Sequence, residues 1–201
     1  MEPFNTFIWK RILTQVGGVI AIAIVLGGFI LAYNATYNNV VNLDQLADER
    51  WARITADLIE RYGVIQGVMD LGPSLGSDVS ALDEVGRNLS RWRTALNEGG
   101  IGAINTATTN LEASLTLLSG VLGRHPEVSA TREVRDFLAT LGTTEGSIAA
   151  DRSSYNEGIR KYNLAIDSFP ASLWASNWGF TGREYFTATI GDTGPPPVPA
   201  E

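Results

Sequence analysis

Apolar positions along this chain fall into one unbroken run and then into stripes with helical spacing. No charged residue occurs between Ile12 and Leu43, and residues 16–32 are almost wholly apolar and glycine. About 20 such residues span a bilayer as a helix, so the pattern predicts a transmembrane helix over residues 12–33. Val40, Leu43, Ala47, Trp51, Ile54, Leu58, Ile65 and Val68 then follow at steps of three and four, the core stripe of a helix continuing out of the membrane. Gly72 and Pro73 interrupt it. Leu82, Val85, Leu89, Trp92 and Leu96 mark a second helix that stops at Gly99-Gly100, and Ile104, Leu111, Leu115, Leu118 and Leu122 mark a third. The last stripe runs from Val134 through Leu138, Leu141, Glu145, Ile148, Arg152, Tyr155, Ile159, Tyr162 and Ile166 to Phe169, before Pro170. Its alternating steps of four and three are a sustained heptad. No stretch predicts a strand.

The expected fold is all-α: one N-terminal transmembrane helix continuing into an antiparallel four-helix bundle with two long and two short helices. A last helix over residues 130–169 would be about 60 Å long and the middle pair roughly 30 to 35 Å each. The short hairpin would then cover only the membrane-distal half of the long pair. The predicted organisation is a cytoplasmic flank (1–11), the transmembrane helix (12–33), the bundle (34–170), an aromatic membrane-proximal segment (171–190) and an extended Pro-rich tail (191–201).

Composition narrows the chemistry. The chain of 201 residues has no cysteine, which removes disulfides, thiolate metal sites and cysteine nucleophiles. Its net charge is −7, and the first eleven residues are net positive, so the acidity lies in the body. An acidic body is a poor match for nucleic acid, which demands a basic face. Lys10 and Arg11 precede the span and no further cation appears until Arg50, which predicts a cytoplasmic N-terminus and an extracytoplasmic bundle in a cell membrane. Trp9 on one side and Tyr33 on the other are placed to anchor the two interfaces. Gly17 and Ala21, Ala23 and Gly27, and Gly28 and Ala32 are small-residue pairs of the type that lets membrane helices touch.

Three polar residues interrupt the stripes. Arg61 and Arg152 are expected to bracket Glu145 in a buried network that sets helix register, because an unpaired buried charge is costly. Gly63 and Gly67, with Gly142 and Gly146, suggest close approach of the two long helices. The one histidine, His125, precedes Pro126 in a loop. No catalytic set, metal site or cofactor is predicted from it, and the expectation is that the protein is not an enzyme.

Tyr155-Asn156 recurs seven residues later as Tyr162-Asn163, and counting down the long pair brings these couples toward Leu46 and Tyr37-Asn38. Tyr37, Asn38, Tyr155, Asn156, Tyr162 and Asn163 are therefore expected to form an interaction surface that the hairpin does not reach, suited to a homo-oligomer or another membrane protein. Trp174 and Trp178 begin level with the bilayer exit and are expected to join Trp9 and Tyr33 at the membrane interface, touching lipid.

The Tyr-Asn opening, Trp51 and following arginines of residues 37–61 resemble the LemA family of membrane-anchored helical proteins. So does the series from "HPE" at residues 125–127 through Tyr155-Asn156, Tyr162-Asn163 and Phe169-Pro170 to Gly179-Phe180. Tyr62 and Gln66-Gly67 stand where the family usually has a second arginine and Pro-Asn. The resemblance implies an anchored helical bundle and no particular activity. The functional expectation is a non-catalytic scaffold or assembly protein acting through helix–helix contacts near the membrane. The alternative is a bundle that senses a small ligand or envelope stress and signals through a partner.

Overall fold

The computed structural model describes residues 4–191, with side chains from Gln15 onward. The side chain of Trp9, expected at the inner interface, residues 1–3 of the expected cytoplasmic flank and the tail from residue 192 lie outside what is described.

Helix α1 (Phe4–Gly63) is a single element of 60 residues, about 90 Å long, that contains both the apolar run and the first bundle stripe. It is the one helix among the described residues long and apolar enough to cross a membrane. A short α2 (Ile65–Met69) and a 3₁₀ stretch (Gly72–Asp78) make the distal turn. The hairpin follows as α3 (Val79–Glu98) and α4 (Ile101–Leu122), then α5 (Pro126–Ser129) and the long α6 (Arg132–Asp167), whose first turn is capped by the Thr131 hydroxyl. The molecule is all-α, as expected.

The stripes of α1, α3 and α4 are buried where predicted: Ile54, Leu58, Val85, Leu111 and Leu118 have no more than a trace of exposure. The stripe of α6 departs by one residue in its distal half. Phe137 and Thr144 point inward, while Leu138 is 42% exposed and Glu145 half-exposed. Both pairings satisfy a three-four spacing, so periodicity alone does not separate them. At the other end Phe169 is 80% exposed and leaves the seam.

Register between the long helices also differs from the count. Arg53 pairs with Asp151, and the Trp51 ring lies 5.5 Å from that of Tyr155. Tyr155 therefore sits five residues, about 7 Å, farther from the apolar run than Leu46. The distal turn accounts for two of these residues: α5 and the Thr131 cap precede α6, which starts at Arg132 rather than at Ala130. The glycine pairs have a different role from the one expected. A methyl group at Gly63, Gly67, Gly142 or Gly146 would meet no atom within 4 Å, so these glycines mediate no close approach.

The largest departure follows Pro170. Residues 171–180 fold back in short turns against the base of the bundle, where Ala171 and Ala175 join Val40, Tyr162 and Ile166 in a second core. From Thr181 the chain climbs away from the span, without regular structure of its own, between α4 and α6. Phe186, Ala188 and Ile190 are buried while the residues between them stay partly exposed. This strap covers the half of the long helices that the hairpin was expected to leave bare.

Candidate functional site

The Tyr-Asn repeat is the framework of the strap's seat. Asn156 is buried and makes a two-way amide pair with Phe186: its Nδ2 donates to the Phe186 carbonyl at 3.0 Å and its Oδ1 accepts from the Phe186 N–H at 2.9 Å. Asn163 does the same for Arg183, at 3.0 and 2.9 Å. From α4, Asn105 donates to the Tyr185 carbonyl and accepts from the Thr187 N–H, both at 2.9 Å. Tyr162 and Tyr155 donate their hydroxyls to the carbonyls of Thr181 and Glu184, both at 3.0 Å, and Arg152 donates to Ala188 at 3.2 Å. Thr109 Oγ1 accepts from Thr189 N–H and the Glu112 carboxylate from Gly191 N–H.

The spacing has a simple physical origin. Seven residues of helix rise about 10.5 Å, and three residues of extended chain cover about 10 Å. Asn156 and Asn163 therefore meet Phe186 and Arg183 in step. From Glu184 to Thr189 the bonds alternate in direction: even-numbered residues turn their backbone groups to α6, odd-numbered ones to α4. Each side chain stands where a neighbouring strand would offer its backbone. Burial in this seat pushes the Tyr155 hydroxyl well above its ordinary range, so it stays a donor.

The strap adds contacts of its own. Arg183 reaches Asp44 at 2.7 Å and Asp48 at 2.6 Å on α1, and its guanidinium lies 5.6 Å from the centre of the Tyr162 ring. Tyr155, Asn156 and Tyr162 are thus buried by the chain itself and offer no free surface; Asn163 is half-buried, and Asn38 and part of Tyr37 remain exposed. For Tyr155, Asn156, Tyr162 and Asn163 the expected interaction surface is corrected to an internal seat; Tyr37 and Asn38 are not part of the backbone ladder.

The buried polar network is corrected as well. Arg61 is 2% exposed, and its partner is Glu112 of α4 rather than Glu145: Nε and Nη2 donate to the two carboxylate oxygens at 2.7 and 2.8 Å. Arg61 also donates to the Leu141 carbonyl and to Thr144 Oγ1, and the Tyr62 hydroxyl donates to Glu112 at 2.8 Å. Burial and the neighbouring carboxylate hold the Tyr62 phenol far above its usual pKa, so it too stays protonated. Glu145 lies at the edge, where a methyl group added at Gly191 would collide with its carboxylate. Arg152 belongs to the strap seat. Desolvation lowers its pKa, and its guanidinium donates to a strap carbonyl.

Beyond Gly191, among the described residues, the α4–α6 seam continues as a cleft of about 300 Å³ between Leu115, Ser119, Leu138 and Gly142, with Arg61, Glu112 and Glu145 at its base. The described residues contain no group of three or more His, Asp or Glu side chains placed to hold a metal.

At the opposite end Tyr33, Trp174 and Trp178 converge as one cluster. Trp174 packs edge-on to Phe29 and Tyr33 at 5.5 and 5.2 Å, and Trp178 to Tyr33 and Tyr37 at 5.1 and 5.3 Å. The Trp178 indole N–H donates to the Tyr33 hydroxyl at 2.6 Å. The cluster lies against one face of α1 at the end of the apolar run.

Glu112, Asn105, Thr109 and the strap escaped the sequence reading, although each left a signal. Glu112 is the single charged residue in α4. The alternation of Phe186, Ala188 and Ile190 with polar neighbours is a half-buried extended pattern.

Fold and seat together define an all-helical bundle, on an apolar helix long enough to cross a membrane, that packs its C-terminal segment between two of its own helices. The family model for the LemA family matches residues 50–199, and the chain belongs to that family. No curated protein matches it.

Proposed function

We propose that this protein is a membrane-anchored, non-catalytic scaffold: a rigid bundle held at a fixed height outside a cell membrane, with its N-terminus in the cytoplasm, that organises other membrane-held chains. The observation that carries this reading is the continuity of α1, in which the apolar run and the bundle's first stripe are one helix without a break. Motion of the anchor is transmitted directly to the bundle. The cluster of Tyr33, Trp174 and Trp178 at the end of the apolar run supports the placement, because amphipathic rings favour the headgroup layer. Nucleic acid is not a partner in this reading, given the acidic body.

Native mass spectrometry of the detergent-extracted protein tests the scaffold reading. Homo-oligomers or a co-purifying membrane protein support it; a bare monomer in every mild detergent counts against it. The cleft beside Arg61 and Glu112 favours one other reading, a bundle that senses a small polar ligand and signals through a partner. A retained small molecule in the same spectra selects that alternative. Lipid contact has its own readout. In bilayers carrying brominated lipid, replacing Trp174 and Trp178 by Phe should remove most lipid-dependent quenching while Trp9, Trp51 and Trp92 remain. Unchanged quenching removes the rings from the interface.

A further inference from the structure

We propose that the turn between Asp167 and Trp174 is a second membrane contact, in which Phe169 and Leu173 enter the lipid surface beside α1. The proposal rests on the membrane-anchored reading and adds to it residues, far from the apolar run in sequence, that meet lipid.

The first ground is exposure. Phe169 is 80% exposed, more than Leu31 or Val25 in the apolar run itself, and Leu173 is 59% exposed. The nearby tryptophans are committed elsewhere: Trp174 and Trp178 are half-buried, edge-on to Phe29, Tyr33 and Tyr37. Single exposed apolar residues are ordinary on a protein surface, so position decides. The second ground is therefore depth. Trp51 beside Tyr155, and Val40 in one cluster with Ile166, set an antiparallel register in which Phe169 is level with about Tyr37. That is about 6 Å beyond Tyr33, where the apolar run ends. Leu173 adjoins Trp174, whose ring reaches Phe29 inside the run. A bilayer carries roughly 5 to 8 Å of headgroup layer on each side of its hydrocarbon core. Phe169 thus falls within that layer, and Leu173 near its inner edge.

The third ground is charge. No charged residue occurs between Asp167 and Arg183, just as none occurs between Ile12 and Leu43. The ring contacts from Phe29 with Trp174 to Tyr37 with Trp178 lay these two uncharged stretches side by side. Lipid selects against charge at such a surface, because an ionised side chain is costly there. By the same register Asp167 stands farther out than Phe169, on the water side. The apolar surface of the turn therefore continues that of the run and ends where charge begins. A lone spanning helix is free to rotate about its own axis. A second contact one helix spacing away, about 8 to 10 Å, removes that freedom and turns the same face of every copy toward its neighbours.

The cysteine-free chain allows a direct test. Full-length chains carrying Phe169→Cys, Leu173→Cys, Leu31→Cys or Leu138→Cys singly are spin-labelled and reconstituted in phosphatidylcholine vesicles. All four positions are exposed, so the label displaces little packing. Electron paramagnetic resonance then compares collisions of each label with oxygen, which concentrates in lipid, and with a water-soluble nickel chelate. The oxygen-to-chelate ratio should rise from Leu138→Cys through Phe169→Cys and Leu173→Cys to Leu31→Cys, with Leu173→Cys several-fold above Leu138→Cys. A ratio at either turn position no higher than at Leu138→Cys overturns the proposal, and a high ratio at Leu31→Cys in the same series leaves the anchor intact. A low ratio at Leu31→Cys takes the apolar run out of lipid and overturns both readings. Slow collisions with both reagents at Phe169→Cys and Leu173→Cys mean that protein, a second copy or another chain, covers the turn, and also overturn the proposal.

Discussion

Helix α6 makes two seams that obey different rules. Toward α1 it presents Ile148 and Ile159, which are wholly buried in the core that holds Ile54 and Leu58. Toward α4 it presents Arg152, Asn156 and Asn163 to the backbone of the strap. Apolar packing is non-directional and forgives a shift of rotamer or of one methyl group. A hydrogen-bonded ladder has no such latitude, because a buried amide without its partner bears the full desolvation penalty. Residues of the first seam should therefore be exchangeable at modest cost, and those of the second should not.

The largest expected effect is at the upper end of the strap seam. Glu112→Ala strands the Arg61 guanidinium, the Tyr62 hydroxyl and the Gly191 N–H together. Urea unfolding should show a loss of about 3 to 5 kcal/mol, strongly coupled to Arg61→Ala in a double-mutant cycle. Glu145→Ala should cost under about 1 kcal/mol. Equal effects at Glu112 and Glu145 would break the assignment.

Asn156→Ala comes next, at about 2 to 3 kcal/mol, since two backbone groups of Phe186 lose their partners inside the seam. Amide exchange should lose protection over residues 183–189 and keep it in α1 and α3. Loss of protection throughout would mean that the strap is not a separate unit. On the apolar seam Ile148→Val should cost only about 1 kcal/mol, with the strap still protected. That contrast is the sharpest check on the difference between the seams.

The smallest effect concerns neither seam. Asp78 ties the start of α3 to Arg124 and His125, 3.3 and 3.2 Å away, and its bond to His125 is the first cause of its depressed pKa, followed by Arg124. Because the folded pKa is lowered, the stabilisation is complete above the ordinary aspartate range and disappears as pH falls through the lowered value. The acid limb of a thermal-stability profile should shift slightly in Asp78→Asn and nowhere else. An unchanged limb would remove the pair from the account.

Much of this was legible from spacing. The apolar run, the stripes of α1, α3 and α4 and the glycine and proline breaks follow from composition and period, because burial on a helix imposes period on sequence. The Tyr-Asn heptad was legible as a special face, but its occupant was not. Nothing in residues 155–163 says that the bonded atoms belong to the backbone of residues 181–186, and backbone groups leave no mark on sequence. Glu145 and Leu138 were misplaced because two staggered three-four stripes fit the distal half of α6 equally well. Choosing between them required knowing that Phe137 and Thr144, not Leu138 and Glu145, face the neighbouring helices. Glu112 sits one residue beyond Leu111 of the α4 stripe, so a search limited to the stripe passes over it.

If the apolar run spans a bilayer, as proposed, an unbroken α1 would also make the molecule a lever. From Tyr33 to Gly63 the arm extends about 45 Å beyond the apolar run, with no hinge residue between fulcrum and tip. Membrane helices tilt by about 20° on average to match bilayer thickness. At that angle the distal turn is displaced sideways by roughly 15 Å relative to an upright arm. A change of membrane thickness that altered the tilt would then shift the bundle's outer end sideways, converting lipid composition into lateral reach.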